Sequence, residues 1–389
     1  MAAKQAEGCA VSKLLLLSLL AAISTTALAA THATVEQVEQ LLDSVHNQPD
    51  AKVAKKLIGL ELTERVSSAR LSRWQVAFSG RHTREALLAL ADASAFLNLP
   101  SADVPSLAMP DPAARQQILS RAIDYVKTTI HKLPNFSARR STTHFEESST
   151  GRLFDQGNLN SLPGFYNTTR PRTPTPSLPQ SLRAVDKSAI VVTYRDGHEV
   201  AARAKYERNP GSPKMGLTTS GEFGPILSTV IGDALRSKIY WDHWEQGATG
   251  PLAVLRYAVP QAESHYSVLV GFVGAGDKPQ FPPYHGEITV DPTNGTILRL
   301  TLVSELERSG ETFAASILVE YGPVTIGNDT YVCPLRGVAL SKVPQAGADG
   351  TAGFETIPSI TFLNDVSFTQ YHVFRANARI LPGYDVRPQ

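Results

Sequence analysis

Cysteine is almost missing from this chain: two in 389 residues, Cys9 and Cys333. Cys9 lies in a stretch read below as a cleaved leader, which leaves Cys333 alone and excludes an intrachain disulfide. Exported eukaryotic proteins of this size usually carry several. A large exported chain without them points to a bacterial envelope, where a core rather than crosslinks holds the fold. Charge of one sign is lacking too. The 37 Lys+Arg and 36 Asp+Glu become equal once the leader removes Lys4, Lys13 and Glu7, and there is no basic run. A nucleic-acid binder shows a clustered basic footprint, so nucleic acid is excluded as a partner. Beyond the leader no segment offers the ~20 apolar residues that a bilayer core demands, so no transmembrane segment is expected. Also missing are HExxH, paired CxxC, the P-loop, the GxGxxG loop and the GxSxG elbow. The sequence therefore reads as non-enzymatic and without a cofactor or metal.

The leader itself is explicit. Lys4 and Lys13 give a positive start, "LLLLSLLAAI" (Leu14 to Ile23) an apolar core, and "ALA" (Ala27 to Ala29) small residues at the cleavage point, the pattern of a secretory signal. Residues 1–29 are expected to be removed and the protein exported to the periplasm or beyond. Sequons at Asn135, Asn167, Asn294 and Asn328 would matter only in a eukaryotic secretory route.

Residues 34–134 carry helical periodicity. "TVEQVEQLLDSVH" sets Val35, Val38, Leu41, Leu42 and Val45 on one stripe behind Thr34 as N-cap. "LELTERVSSARLSRWQ", "TREALLALADASAFLNLP" and "PDPAARQQILSRAIDYVKTTIHKLP" predict three more helices. Alternation from Phe136 to Glu146 predicts a strand. Residues 148–187, rich in Pro, Ser and Thr, read as a long loop. From 188 to 389 strands dominate. A hairpin turns at Asp196-Gly197, one helix spans "GEFGPILSTVIGDALRS", with Ser220 as its cap and Glu222 in its first turn, and a meander turns at Asn294-Gly295 and Gly327-Asn328. The expected fold class is α+β: a helical N-terminal region, then a large curved antiparallel sheet with one long helix packed on it.

The order hairpin, helix, meander, with "GEITVDPTNGTILRLTL" followed by "ILVEYGPVTIGNDTYVCP", resembles the half-barrel of LolA/LolB-like proteins that sort outer-membrane lipoproteins. That resemblance covers roughly Ser188 to Leu381 and implies an apolar groove for acyl chains, with no catalytic residues. The long helical N-terminal region departs from those compact proteins. Over most of its length the chain also resembles a family of exported acidobacterial proteins, through "LELTERVSSARLS", "ALADASAFL", "TTSGEFGPIL", "YWDHWEQGATGPLAVLRYAVP" and "FLNDVSFTQYHVFRA". That likeness brings no known activity with it.

The densest chemistry lies in "IYWDHWEQG". As a regular strand it would put Tyr240, Asp242, Trp244 and Gln246 on one face and Trp241, His243 and Glu245 on the other. Buried tryptophans attract polar partners, so packing is the plainer reading beside a ligand or metal site. A second His-x-Glu pair, His285 and Glu287, would add to a metal site only if the two strands were neighbours, which spacing does not show. The aromatic-rich strands complete the candidate ligand-binding set: Trp241, His243, Trp244, Glu245, Tyr257 and Tyr371. Cys333 reads as a buried, inert thiol. The leading functional expectation is an exported protein that binds a lipid or other apolar ligand. Alternatives are an envelope module with a protein partner, and a hydrolase or metal site around His243 and Glu245.

Overall fold

The computed structural model describes residues 31–129, 132–148, 181–201, 217, 219–268, 279–308, 311–344 and 359–373. The leader and most of the Pro/Ser/Thr-rich loop lie outside these residues. So does the second half of the strand expected at "SHYSVLVGFV"; of its first half, Val268 forms a bridge with Gln280.

Among the described residues the helices are α1 (Val35–Val45), α2 (Asp50–Leu57), α3 (Ser68–Ala77), α4 (Arg81–Ala93), α5 (Pro112–Thr129) and α6 (Pro225–Arg236). Strands β1 (Thr31–Ala33) and β2 (Leu60–Leu62) form a small ribbon. The others are β3 (Phe136–Ser148), β4 (Ser181–Arg195), β5 (His198–Ala201), β6 (Lys238–Gln246), β7 (Pro251–Val259), β8 (Tyr284–Val290), β9 (Ile297–Arg308), β10 (Glu311–Ile326), β11 (Asp329–Pro344) and β12 (Ser359–Val373).

These ten strands make one open antiparallel sheet in the order β5-β4-β3-β12-β11-β10-β9-β8-β7-β6. The fold is α+β. From β6 to β12 each strand neighbours the next in sequence, and β3 then pairs with β12, so Phe136–Glu146 is hydrogen-bonded to Phe362–Val373. The N-terminal part of the chain is thus built into the sheet of the C-terminal part. Ser148 pairs with Ser181, and the strand β4 reaches into the stretch read as loop.

Side chains alternate along a strand, and helices pack on both faces of the sheet. On one face lie α5 and α6, where Ile118, Ala122 and Val126 meet Val230, Ile231 and Ala234 over Leu255, Tyr257, Ile288, Leu302 and Val319. One long helix was expected there; there are two. The 18-residue α5 belongs to them because Arg121 Nη1 donates to Pro292 O at 2.7 Å. In addition, Gly295, at φ +80°, lets the β8–β9 turn lie against the α5 backbone, where a Cβ would meet Arg121 at 2.3 Å. On the other face, Leu88, Ala89, Ala95 and Phe96, from α4 and the turn after it, meet Phe145, Leu318, Val338 and Leu363. Helices α1 to α4 share their own core around Val38, Leu42, Val53, Trp74 and Leu87.

Local signals explain most of the elements. Thr34 caps α1 in a capping box with Gln37, which satisfies two otherwise unpaired amides. Asp50 serves α4 from outside, accepting from His82 N and Thr83 N at 3.0 and 2.9 Å. Chiefly its bond to Thr83 holds the Asp50 carboxyl below the ordinary range. Asp196 (φ 52°) and Gly197 (φ 83°) form the expected hairpin turn.

Two expectations are corrected. "LELTERVSSARLSRWQ" is not one helix: Leu60–Leu62 pairs in the ribbon and the helix starts only at Ser68 behind the Ser67 cap. Ser220 does not cap α6, which begins at Pro225 behind Gly224 without a side-chain cap. Glu222 instead turns into the core, 0% exposed. There its Oε1 accepts from Thr219 at 2.5 Å and lies 3.3 Å from Arg140. A buried carboxylate needs such partners more than a helix terminus needs it.

Candidate functional site

The strand β6 contains a bulge. Trp241 pairs with Leu255 and His243 with Val254, so Asp242 is the extra residue. One inserted residue resets the alternation of side chains. Trp241 and Trp244 therefore share the α5/α6 face and meet edge to face, ring centroids 4.7 Å apart, correcting the expectation that they oppose one another. Trp244 Nε1 donates to Ala108 O at 2.9 Å. His243 and Glu245 do share the opposite face. His243 Nδ1 lies 2.8 Å from Asp242 Oδ2, while its Nε2 is buried without a hydrogen-bond partner among the described residues.

Glu245 is gripped twice. Arg65 Nη1 and Nη2 donate to it at 3.4 and 3.0 Å, and Arg299 Nη1 and Nη2 at 3.2 and 2.8 Å. Arg299 Nη2 also reaches Glu287 Oε2 at 3.4 Å, and Arg256 Nη2 donates to Glu287 Oε1 and Asp242 Oδ2, both at 3.0 Å. The glutamates of the two His-x-Glu pairs thus meet across β7 through shared arginines, while the two histidines make no bond to them among the described residues. Among the described residues no group of three or more His, Cys, Asp or Glu side chains is arranged to hold a metal. Three arginines against three carboxylates make the lattice neutral. Burial works against the charge of Arg256, but the bond to Glu287 and the charges of Asp242 and Glu287 outweigh it and hold its proton more tightly than usual.

Beside this lattice a cavity of about 200 Å³ opens between the turn after α4 (Ala95–Asn98) and strands β7 to β9. Arg256, His285, Glu287, Thr301 and Val303 form its sheet wall. Gly286 makes this wall possible. Beneath it Tyr257, 0% exposed, donates from its hydroxyl to Thr301 O at 2.6 Å, and a Cβ on residue 286 would fall 2.0 Å from Thr301 O.

A second buried charge cluster lies on the same face. Arg336 donates to Asp92 and, at 2.8 Å, to Asp365. Burial pushes the carboxyls of both Asp92 and Asp365 above the ordinary carboxylate range, with Arg336 opposing and the charge of Glu320 adding to the rise.

The six candidate residues do not form one site. Trp241, Trp244 and Tyr257 belong to the core under α5 and α6. Glu245 and His243 lie across the sheet. Tyr371 packs far along the sheet with Phe136 and Phe223 and donates to Pro334 O. Sequence reasoning missed Arg65, Arg256 and Arg299. A signal was present for two of them: "PLAVLRYAV" and "ILRLTL" each set an arginine inside an apolar strand, where only a buried partner makes it tolerable. Asn98 and Phe96 carried no signal, since their place depends on where α4 docks.

No family model, curated protein or solved structure matches this chain. The fold and the site therefore stand on their own geometry.

Proposed function

We propose that this is an exported, non-catalytic binding protein that takes a small ligand in the cavity between the α4 turn and strands β7 to β9. The leader-like N-terminus supports export. The observation that carries the binding role is the disposition of Arg256, whose side chain is 35% exposed at the cavity wall. Among the described residues all its acceptors (Asn98 Oδ1, Asp242 Oδ2 and Glu287 Oε1) are engaged by Nη2 alone. A concave space lined by an arginine with unengaged donors has the features of a small-molecule site. No helix among the described residues is long and apolar enough to cross a membrane.

The resemblance to lipoprotein-sorting proteins favours another place and another ligand: an acyl chain between the sheet and α5/α6. The side chains of α5 and α6 occupy that space, and the cavity lined by Tyr125, Phe223, Leu227 and Tyr321 near one end holds only about 20 Å³, against the several hundred that ligand pockets offer. A lipid would have to displace a helix. The reading as an envelope module with a protein partner draws on exposed Val185, Val191 and Val200 on β4 and β5.

Thermal-shift screening of the mature protein against small metabolites, with native mass spectrometry of the protein from its host, separates these readings. Stabilisation by a small molecule that is lost in Val303→Trp, which fills the cavity, supports the proposal. An adduct of lipid mass unaffected by Val303→Trp would replace it with the apolar-carrier reading. A protein that no small molecule stabilises, recovered crosslinked to an envelope protein, would replace it with the interaction module.

A further inference from the structure

We infer that the cavity selects a small organic anion, a carboxylate on a short apolar body; this rests on the cavity being the ligand site. The argument is an inventory of its wall. Arginine has five N–H donors. Arg256 engages only those of Nη2, so Nε–H and both Nη1–H donors have no partner among the described residues. His285 is exposed at the cavity and makes no hydrogen bond among the described residues; its ring offers at least one N–H in either tautomer. Thr301 Oγ1 accepts from Glu287 N at 2.9 Å, which leaves its hydroxyl proton to donate.

The acceptors on the same wall are already taken. Glu287 has one oxygen on Arg256 and the other on Arg299, and Asn98 Oδ1 faces Arg256 at 3.4 Å. A cationic ligand would have to compete with two guanidinium groups for Glu287. An anion meets unengaged donors and displaces nothing. Donors held in place by a salt-bridged sheet cost no reorganisation on binding, and hydrogen bonds to an ionised acceptor are roughly twice as strong as neutral ones.

The remaining wall sets the rest of the ligand. Ala95, Phe96, Leu97 and Val303 are apolar. A cavity of about 150 Å³ accommodates benzene, so about 200 Å³ suits a carboxylate carrying a body of roughly that size.

The test is calorimetric titration of the mature protein with sodium hexanoate and sodium benzoate, against hexanamide, hexylamine hydrochloride and inorganic phosphate. The inference expects both carboxylates to bind at least tenfold more tightly than the amide, the amine or phosphate. It also expects His285→Gln and Arg256→Lys each to weaken carboxylate binding about tenfold. His285 is exposed and outside the salt-bridge lattice, so His285→Gln keeps the test clear of misfolding. Tighter binding of hexylamine or hexanamide, or carboxylate binding unchanged in both variants, would overturn the anion assignment while leaving the cavity a ligand site. Phosphate binding as tight as benzoate would remove the apolar body from the assignment. If no probe binds and Val303→Trp changes nothing in the small-metabolite screen, the ligand site and the inference fall together.

Discussion

Arg65 and Glu245, 180 positions apart in the chain, are joined by two hydrogen bonds of 3.4 and 3.0 Å. The same carboxylate takes two more from Arg299. The segment after β2 is thereby tied through β6 to β9, and the helical layer is fixed over the sheet by charge as well as by apolar contact. With side chains of Arg65 and Arg299 only 7% and 8% exposed, this is an interior ion lattice.

Removing Glu245 would leave two buried guanidinium groups without their main partner. Breaking one side of a buried pair costs about 3–5 kcal/mol. Glu245→Ala is expected to lose about that much in urea denaturation. Glu85→Ala, which removes the carboxylate facing the 54% exposed Lys187, is expected to lose less than ~1 kcal/mol. Equal losses in the two variants would show that the lattice contributes nothing special.

Asp92 gives a signed dependence on pH. Its carboxyl is 1% exposed, and burial, together with Asp365 and Glu320 sharing one arginine, raises it above the ordinary 3.8. Above 3.8 the unfolded chain releases this proton while the folded protein keeps it, so stability falls as pH rises through that window. Asp365 acts in the same direction. Asp92→Asn keeps the shape and removes one titrating group. Its melting temperature, followed from pH 4.5 upward, is expected to decline less steeply than that of the wild-type protein. An identical slope in both would rule Asp92 out as the source.

Gly286 has no room for a methyl group. Gly286→Ala would press its Cβ onto Thr301 O and the Tyr257 hydroxyl, 2.0 and 2.9 Å away. Overpacking of this kind typically costs 1–3 kcal/mol. Tyr257→Phe in the same background is expected not to restore stability, because the nearer obstacle is backbone. A melting temperature within a degree of wild type for Gly286→Ala would refute the close packing of β8 on β9.

Cys333 is 0% exposed, and burial pushes its thiol up to about 12. Thiolate, not thiol, is the nucleophile. A disulfide-exchange reagent at pH 8 is expected to leave the native protein unlabelled for hours and to react stoichiometrically in denaturant. Rapid native labelling would show that the core around Phe136, Val366 and Phe368 opens.

The legible part of this protein was local. The Thr34 N-cap, the Asp196-Gly197 turn, Pro112 opening α5 and the alternation of Phe136–Glu146 each depend on neighbours a few positions away, and each stands in the structure. The misread parts depended on more distant residues. "LELTERVSSARLSRWQ" has a helical stripe, but Leu60–Leu62 is drawn into a ribbon by β1. Ser220 and Glu222 resemble a helix start, but Glu222 is captured by Arg140 from β3. A single bulged residue, Asp242, put on one face two tryptophans that alternation had opposed. A bulge is invisible in the strand that carries it, since it is set by the register against β7.

By itself, then, the sequence determined most of the segments that are helix or strand, that the sheet is antiparallel, and that Cys333 has no possible partner within the chain except Cys9. These follow from backbone propensity, side-chain periodicity and residue count, all properties of a short window or of composition. Only the tertiary structure decided which arginine meets which carboxylate, that α5 joins α6 on one face while α4 covers the other, and that a cavity remains between the α4 turn and β7 to β9. Charge pairing across a sheet depends on strand order and register, which bring Arg65, Glu245, Glu287 and Arg299 together from four separate stretches, and no window of the sequence holds that information.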